Sequence, residues 1–246
     1  MARLFVEPDQ IGEKTIDITD KNDIHHITRV LRLREGNEID VSDKTEWEYR
    51  CSISSVDSDL VVADIIDKQK FAKEPELKVT LFQGIPKAGK MEGIVQKCVE
   101  LGVYEIVPLW TERTVVVDNK GNFSKKIDRW QKIADEAVKQ CKRGIIPEIS
   151  TDIKIKNLIN EFVNYELILF PYENEEGTTI KDCLSSLTEK PKNVAIIIGP
   201  EGGFSDTEAE MLVEAGAKSV SLGKTILRTE TAGPAALAMT MYALEL

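Results

Sequence analysis

Cysteine and histidine are scarce in this chain of 246 residues, which contains four cysteines and two histidines. Neighbouring cysteines lie more than 40 residues apart in the sequence, and the two histidines, His25 and His26, are adjacent. That spacing excludes a zinc finger and disfavours a disulfide framework. We therefore expect a reducing, cytoplasmic location and no metal site.

Long apolar runs are also missing. The stretch over residues 194–198 is far shorter than the roughly 20 residues that a membrane helix needs, and the first residues lack the apolar segment of a signal peptide. Charged residues make up 30% of the chain and apolar residues 42%, which excludes collagen-like and wholly disordered classes. We expect a globular protein with no membrane partner.

Positive charge is in deficit, because 32 Lys and Arg stand against 42 Asp and Glu and give a net charge of −10. Nucleic-acid backbones are bound by basic faces, so this balance disfavours a general nucleic-acid binder unless positive charge gathers locally. One window, residues 25–34, holds three arginines, two histidines and no acid. It is either a phosphate-binding helix face with Arg29 and Arg32 or an ordinary solvated face.

The hydrophobic pattern of residues 1–67 indicates a small β-rich unit with one helix. Alternating polar and apolar residues predict strands over 38–43, 50–56 and 60–66. The helix is predicted to begin after Asp20 and to end at Gly36. Its apolar residues are expected to share one buried face: Ile24, Ile27, Val30 and Leu31.

A charged connector ending in a proline, residues 68–75, marks the predicted domain boundary, and the predicted domains are 1–70 and 74–246. Beyond the connector, strand and helix patterns alternate. The continuous apolar runs 167–170 and 194–198 are typical of parallel strands that are covered on both faces. The sequence thus predicts a β-rich domain followed by an α/β domain.

A turn containing glycine and lysine, residues 84–90, matches most of the P-loop pattern G-x-x-x-x-G-K-[ST]. The residue after Lys90 is Met91, so the hydroxyl that would hold Mg²⁺ is absent. Three interpretations stay open for this turn. It is a nucleotidase site, an ordinary strand-to-helix turn, or a loop whose Lys87 and Lys90 contact a phosphate backbone.

Two further loops follow predicted strands. The first is Gly199-Pro200-Glu201-Gly202-Gly203, and the second extends over residues 222–232 and contains Arg228 and Glu230. In open α/β sheets, ligands bind at the carboxyl ends of strands, so the two loops together indicate a binding crevice. The alternative is a tight turn in the first loop and a surface ion pair beside a helix N-cap in the second.

The C-terminal helix is almost entirely apolar and rich in small residues, with Pro234 predicted near its first turn. A helix that is apolar on all sides is buried, either in its own core or against a partner. A subunit interface is favoured for this helix.

These stretches together resemble the ribosomal RNA small subunit methyltransferase E family of the SPOUT superfamily, over nearly the whole chain. The most specific motifs are, in order, Ile198-Gly199-Pro200-Glu201-Gly202-Gly203 and Leu222-Gly223 with Ile226-Leu227-Arg228-Thr229-Glu230-Thr231-Ala232. Weaker support comes from His26-Ile27, Gln96-Lys97, Glu112-Arg113, Arg129-Trp130 and Pro147-Glu148-Ile149. The chain departs from the family at Asp43-Lys44, where an Asp-Gly turn is usual, and at residues 140–143, which gain a basic residue.

The resemblance implies an α/β fold in which a small PUA-like β-barrel RNA-binding domain precedes a trefoil-knotted SPOUT methyltransferase domain. It also implies a homodimer that methylates N3 of uridine 1498 in the 16S ribosomal RNA of the small ribosomal subunit. The implied cofactor is S-adenosyl-L-methionine. Its sulfonium already activates the methyl group, so no metal is required.

The resemblance also assigns site residues. Arg228 is the candidate for stabilising charge on the uracil, and Glu201 and Glu230 are candidates for orienting Arg228 or accepting the N3 proton. The cofactor-binding candidates are Leu169, Phe170, Pro171, Gly199, Pro200, Glu201, Gly202, Leu222, Gly223, Ile226, Leu227, Arg228, Thr229 and Thr231. The RNA-binding candidates are His26, Arg29, Arg32, Lys90, Arg113 and Arg143.

Two other functions are kept as alternatives. A non-catalytic RNA-binding or assembly factor of the same fold would bind RNA without transferring methyl groups. A P-loop nucleotidase using residues 84–90 would hydrolyse nucleotides with magnesium and depend on Lys90. The methyltransferase function differs from both, because it predicts methyl transfer without magnesium.

Overall fold

A computed structural model describes residues 3–45, 47–70, 74–117 and 123–246. The chain divides into two compact units, Met1–Glu74 with Val138–Ile146 and Pro75–Ala137 with Pro147–Leu246. Residues 71–73 of the predicted connector lie outside the described residues. The stretch Val138–Ile146, which the sequence analysis assigns to the second domain, groups with the first unit.

The first unit is built on a five-stranded sheet of order β1-β3-β4-β5-β2. Its first neighbours, β1 and β3, are parallel and the other pairs are antiparallel. Alternate side chains of the strands form one hydrophobic core, as the period-two pattern predicted for the last three strands. The strands are β1 (Arg3–Phe5), β2 (Thr15–Ile18), β3 (Glu38–Ser42), β4 (Trp47–Val56) and β5 (Val61–Lys70).

The helical segment of this unit changes type along its length. Helix α1 (Lys21–His25) begins after Asp20, whose carboxylate accepts hydrogen bonds from two backbone amides of the first turn, as predicted. A π-helical turn then continues over His26–Val30. The prediction that Gly36 ends the helix is wrong, because the segment ends several residues earlier and Arg32 adopts a φ of 55°.

The predicted buried face of this segment is only half correct. Ile24 and Ile27 are buried, whereas Val30 is 58% exposed and Leu31 is 38% exposed. A π turn contains more residues than an α turn, so it rotates the side chains that follow it away from the face defined by the α-helical period. The sequence pattern assumes one period throughout, and the π turn breaks it.

The second unit contains a parallel sheet of order β12-β10-β11-β6-β7-β8, with β9 also paired to β7. The two continuous apolar runs form the inner strands β10 and β11, as predicted, and the β11 side chains from Val194 to Ile198 are buried. The strands are β6 (Lys78–Gly84), β7 (Glu105–Trp110), β8 (Glu148–Ile149), β9 (Ile153–Lys154), β10 (Leu167–Pro171), β11 (Asn193–Ile198) and β12 (Lys218–Val220).

Helices connect the parallel strands. Ser205 and Glu208 form the predicted capping box at the start of α6. No helix within the described ranges is both long and apolar enough to span a bilayer. The helices are α2 (Lys90–Glu100), α3 (Phe123–Cys141), α4 (Ile155–Glu161), α5 (Ile180–Ser185), α6 (Asp206–Glu214) and α7 (Thr229–Leu244).

Helix α7 buries one face within its own unit, where it packs against α2, α5 and strands β6 and β11. Leu237 and Thr240 on that face are fully buried, whereas Met239 and Tyr242 are exposed on another face. The helix begins at Thr229, so Pro234 is its sixth residue and lies just after the first turn, near which it was predicted. An apolar helix is thus half covered by its own chain.

Candidate active site

A cavity of about 1040 Å³ opens at the carboxyl ends of neighbouring parallel strands in the second unit. Strands β12, β10 and β11 lie side by side, so the loops after them meet at one edge of the sheet. Both loops singled out in the sequence therefore border one cavity. Its wall includes Lys90, Pro171, Tyr172, Glu173, Gly199, Pro200, Glu201, Leu222, Gly223, Lys224, Ile226, Leu227, Arg228 and Thr229.

The loop after β11 is packed so tightly that two of its contact positions leave no room for a side chain. A Cβ atom on Gly199 would lie 2.9 Å from the Phe204 ring. A Cβ atom on Gly84, at the end of β6, would lie 2.4 Å from the Pro200 nitrogen. Glycine at these positions allows two strand-to-helix turns to approach each other, which fixes the backbone of the cavity wall.

Helix α7 begins at the cavity. Arg228 is its N-cap residue, and the Arg228 carbonyl accepts hydrogen bonds from the amides of Thr231 and Ala232. The Arg228 side chain is exposed and lines the cavity. Because a helix N-terminus carries partial positive charge, the guanidinium and the helix together favour a negative charge at this end of the cavity.

A cluster of three charged side chains lies at the same end. The Lys90 ammonium is 2.9 Å from Glu201 Oε1 and 3.3 Å from Glu230 Oε2. The Glu201 carboxylate also accepts hydrogen bonds of 3.1 and 3.2 Å from the Lys87 amide. One set of charge-assisted hydrogen bonds thereby joins the turn after β6, the loop after β11 and the start of α7.

The cluster shifts the pKa of each member in the direction that favours its charged form. The hydrogen bond to Glu201 is the largest cause of the raised pKa of Lys90. Burial raises the pKa of Glu201, but hydrogen bonds from Lys90 and from backbone amides outweigh it and leave that pKa below its ordinary value. A backbone hydrogen bond and then Lys90 lower the pKa of Glu230. Both carboxylates are ionised at neutral pH and are weak proton acceptors.

The same contacts exclude the P-loop interpretation of residues 84–90. In a P-loop, backbone amides hold phosphate oxygens, whereas here the Glu201 carboxylate binds the Lys87 amide. Lys90, which would contact the terminal phosphates, is paired with two carboxylates. A nucleotide triphosphate would have to displace both of them, so the turn is a strand-to-helix connection.

Most of the predicted cofactor residues border the cavity, but Leu169, Phe170, Gly202 and Thr231 are not among the residues that line it. Leu169 and Phe170 are fully buried, because strand β10 is covered on both faces. Of the predicted catalytic residues, Arg228 and Glu201 line the cavity, and Glu230 contacts it through Lys90. Their catalytic roles stay predictions.

Several cavity residues are not identified by the sequence analysis, among them Tyr172 and Glu173. The Tyr172 ring stacks on Phe170 with centroids 5.2 Å apart and an interplanar angle of 18°. Strand β10 ends at Pro171, so Tyr172 and Glu173 are the first residues of the loop after it. Placing the site after the strand end, instead of within the apolar run, finds both of them.

The RNA-binding candidates are found in both units. In the first unit, Arg29 and Arg32 are exposed and His26 is half-buried, and no ion pair joins any of these three to another described residue. In the second unit, Arg113 is exposed and donates a hydrogen bond of 3.2 Å to the Gly202 carbonyl. Lys90 belongs to the ion cluster, so its charge is already compensated.

Arg143 is buried in the first unit and differs from the other RNA-binding candidates. Its guanidinium lies 3.0 and 3.2 Å from the Glu74 carboxylate, which also accepts hydrogen bonds from the amides of Gly144 and Ile145. The Ser42 hydroxyl donates to the Gly144 carbonyl beside this pair. A guanidinium buried in this way does not reach a phosphate, so the structure speaks against the RNA contact predicted for Arg143.

Two domain families match the chain. An RNA methyltransferase PUA domain matches residues 18–66, and an RNA methyltransferase domain matches residues 73–241. The first match lies within the β-rich unit, and the second includes every residue of the cavity wall.

Individual relatives match over nearly the whole length. The chain is 34% identical to Ribosomal RNA small subunit methyltransferase E of Bacillus subtilis (strain 168), over 100% of this chain and 98% of that protein. It is 38% identical to the protein of the same name from Mesomycoplasma hyopneumoniae (strain 232), over 94% and 95% of the two chains. A crystal structure of a ribosomal RNA small subunit methyltransferase E from Neisseria gonorrhoeae bound to S-adenosyl methionine matches with a TM-score of 0.85 and 29% identity, over 98% and 97%.

Proposed function

We propose that this chain, which belongs to the ribosomal RNA small subunit methyltransferase E family, transfers a methyl group from S-adenosyl-L-methionine to N3 of uridine 1498 in 16S ribosomal RNA. The observation that carries the proposal is the cavity bordered by both family motifs, at Gly199 and at Arg228. The relative from Neisseria gonorrhoeae, crystallised with S-adenosyl methionine, supports the choice of cofactor.

The residues of the cavity fit this cofactor, which is an adenine nucleoside joined to a sulfonium cation and supplies an activated methyl group. Tyr172, Ile226 and Leu227 offer apolar surface to the adenine, and Glu173 and Glu201 offer negative charge to the cation. The cavity volume lies just above the ~300–1,000 Å³ range of ligand sites. That volume leaves room for a nucleobase beside the cofactor.

Arg228 and the N-terminus of α7 stabilise the negative charge that develops on the uracil carbonyl oxygens as N3 loses its proton. Glu201 and Glu230 hold Lys90 and the start of α7 in place, and their lowered pKa values make them poor acceptors for that proton. The N3 proton passes to water. In this mechanism the protein contributes position and electrostatics.

The first unit supplies RNA binding. Arg29 and Arg32 are exposed and joined to no described carboxylate, so their charge is available to phosphate oxygens. Such contacts set the position of the RNA and carry no sequence information. A uridine within structured RNA must be turned out of its helix to enter a cavity of this kind. Contacts to the RNA backbone hold the RNA in place while the base enters the cavity.

A homodimer and a cytoplasmic location are part of the same proposal. Helix α7 exposes Met239 to 37% and Tyr242 to 77%, beside the half-buried small residues Ala235 and Ala238. An apolar face lined by small residues allows a second helix to pack closely, which supports a second copy of the chain as its partner. The location follows from the substrate, since ribosomal RNA is a cytoplasmic polymer in bacteria.

The proposal is tested by incubating the protein with tritiated S-adenosyl-L-methionine and small ribosomal subunits that lack the modification, without added magnesium beyond that of the subunits. Nucleoside analysis is expected to place the label in 3-methyluridine. Label in another nucleoside would contradict the substrate. Binding of subunits with no methyl transfer would favour the non-catalytic assembly factor.

A further inference from the structure

We propose that Gln83 is a positioning residue of the cofactor cavity, which acts through the Thr229 hydroxyl on the Gly199 carbonyl. Gln83 lies at the end of β6 and does not line the cavity, whereas Thr229 and Gly199 do. The inference rests on the proposed function, because it concerns the binding of S-adenosyl-L-methionine.

A chain of buried hydrogen bonds links the three residues. Gln83 Nε2 donates to Thr229 Oγ1 at 2.9 Å, and Thr229 Oγ1 donates to the Gly199 carbonyl at 2.6 Å. Gln83 is completely buried and Thr229 is 6% exposed. The chain therefore ties the end of β6, the start of α7 and the loop after β11 together behind the cavity wall.

The direction of the chain is fixed by the Gln83 amide group. Nε2 donates a second hydrogen bond, of 3.1 Å, to the Gly84 carbonyl, so both of its hydrogens are directed toward acceptors. Because Thr229 Oγ1 receives one of them, its own hydrogen is directed to Gly199. An amide in the reverse orientation would place Oε1 against the Gly84 carbonyl and would compete for the Thr229 hydrogen.

This orientation leaves one polar atom without a partner. Gln83 Oε1 is buried and accepts no hydrogen bond from the described residues. It faces the backbone of Gly233, where a Cβ atom would lie 2.8 Å from it, with side-chain atoms of Leu81 and Ile94 close to the same point. A buried unsatisfied oxygen destabilises the folded state, so a purely structural role would be served better by an apolar side chain of the same size. The amide is explained by what it does for Thr229.

The Gly199–Pro200 peptide is the part of the wall that depends on this arrangement. Pro200 has no amide hydrogen, and the same peptide packs against Gly84. The Thr229 hydroxyl is therefore the contact that sets where the Gly199 carbonyl points. Removing either donor is expected to release the peptide and to weaken cofactor binding, while the exposed charged residues of the cavity are unchanged.

The test compares the affinity for S-adenosyl-L-methionine, measured by calorimetry, with the midpoint of thermal unfolding. Gln83→Met and Thr229→Val each remove one donor at nearly constant volume and are expected to weaken binding about fivefold to tenfold. Thr229→Ser keeps the hydroxyl and is expected to bind within about twofold of the wild type. The KM for the cofactor is expected to rise in parallel with these losses of affinity, and by a larger factor than any change in kcat at saturating cofactor.

The double variant Gln83→Met with Thr229→Val distinguishes a chain from two separate contacts. If the two residues act as one unit, the double variant binds no more weakly than the weaker single variant. A loss equal to the product of the two single losses would overturn the proposal. If Gln83→Met does not fold, Gln83→Leu removes the same donor and takes its place in the comparison, while the contrast between Thr229→Val and Thr229→Ser tests the contact with Gly199.

Thr240→Val is the matched control, because Thr240 is also a buried threonine of α7 and its hydroxyl donates to the Ala236 carbonyl within the helix. It is expected to lower the unfolding midpoint without changing cofactor affinity. An equal loss of affinity in this control, or wild-type affinity in Gln83→Met and Thr229→Val, would overturn the proposal. A wild-type protein that binds no S-adenosyl-L-methionine would contradict the proposed function instead.

Discussion

Positive charge serves different purposes beside the cavity of the second unit and in residues 25–34 of the first unit. In the second unit, Lys90 is held between Glu201 and Glu230, whereas Arg29 and Arg32 of the first unit are exposed with no ion pair to another described residue. A cation that is paired with carboxylates fixes the geometry of its own protein, while an exposed unpaired cation can bind a polyanion. In this chain of net charge −10, the role of a cation depends on whether it is paired or buried. Whether the residue is a lysine or an arginine does not decide the role.

Arg143 gives the largest expected effect, because its guanidinium is buried together with the Glu74 carboxylate that pairs with it. Arg143→Ala leaves the buried Glu74 carboxylate without its cation. We expect the free energy of unfolding, measured with urea, to fall by about 3–5 kcal/mol. Arg50→Ala is the control, since Arg50 pairs with Glu38 at an exposed site, and it is expected to have a far smaller effect. Equal losses of unfolding free energy in the two variants would contradict the difference between buried and exposed ion pairs.

Arg228→Ala is expected to lower kcat for methyl transfer about 100-fold to 1,000-fold, because it removes a preorganised donor for developing charge. The affinity for S-adenosyl-L-methionine is expected to change much less. Steady-state kinetics with small subunits and calorimetry with the cofactor measure the two quantities separately. Lys218→Ala, at an exposed position of β12, serves as the control. A large loss of cofactor affinity with unchanged kcat would assign Arg228 to binding alone.

Arg29→Gln and Arg32→Gln test the other side of the comparison. Each is expected to weaken binding of a 16S ribosomal RNA fragment about threefold to tenfold and to reduce the slope of log affinity against log salt by about one. Fluorescence anisotropy over a series of salt concentrations gives both values. Arg50→Gln removes an exposed but paired arginine and is expected to leave the slope unchanged. A change of about one in the slope for Arg50→Gln would show that ion pairing does not decide which arginines bind RNA.

The smallest expected effect is on the acid dependence of stability. The pKa values of Glu201 and Glu230 are lowered in the folded state, so their contribution to stability is present above the unfolded pKa and is lost as pH falls through the folded pKa. Lys90→Met removes a main cause of both shifts. The difference in unfolding free energy between wild type and variant is therefore expected to be larger at pH 7 than near pH ~3.5. A difference independent of pH would contradict the ion cluster.

The strand-end loops of the second unit could be predicted from the sequence because apolar runs and glycines are local signals. The strands β10 and β11 follow from their continuous apolar residues, and the loop at Gly199 follows from its position after β11. The exact wall was harder to predict, because a strand pattern does not show where the strand ends. Tyr172 was missed and Phe170 was included for this reason.

Ion pairs between residues that are distant in the sequence could not be predicted either. Arg143 lies in a basic stretch, and the neighbouring sequence gives no sign that it pairs with Glu74, which is 69 residues away. Lys90 was interpreted as an RNA contact for the same reason, since Glu201 and Glu230 are distant in sequence. The exposure of Val30 had a local cause, because the π turn changed the period within a few residues.

The close contact of Gly84 with Pro200 has a consequence for how the protein acquires its activity. The two residues belong to segments far apart along the chain, and the absence of a Cβ atom is what lets them touch. Pairings between distant segments close slowly, because the intervening loop loses conformational entropy before any contact compensates it. We therefore expect a newly made chain to gain its cofactor pocket late in folding. The cofactor then acts as a stabiliser of the native state alone, since earlier species have nothing for it to bind.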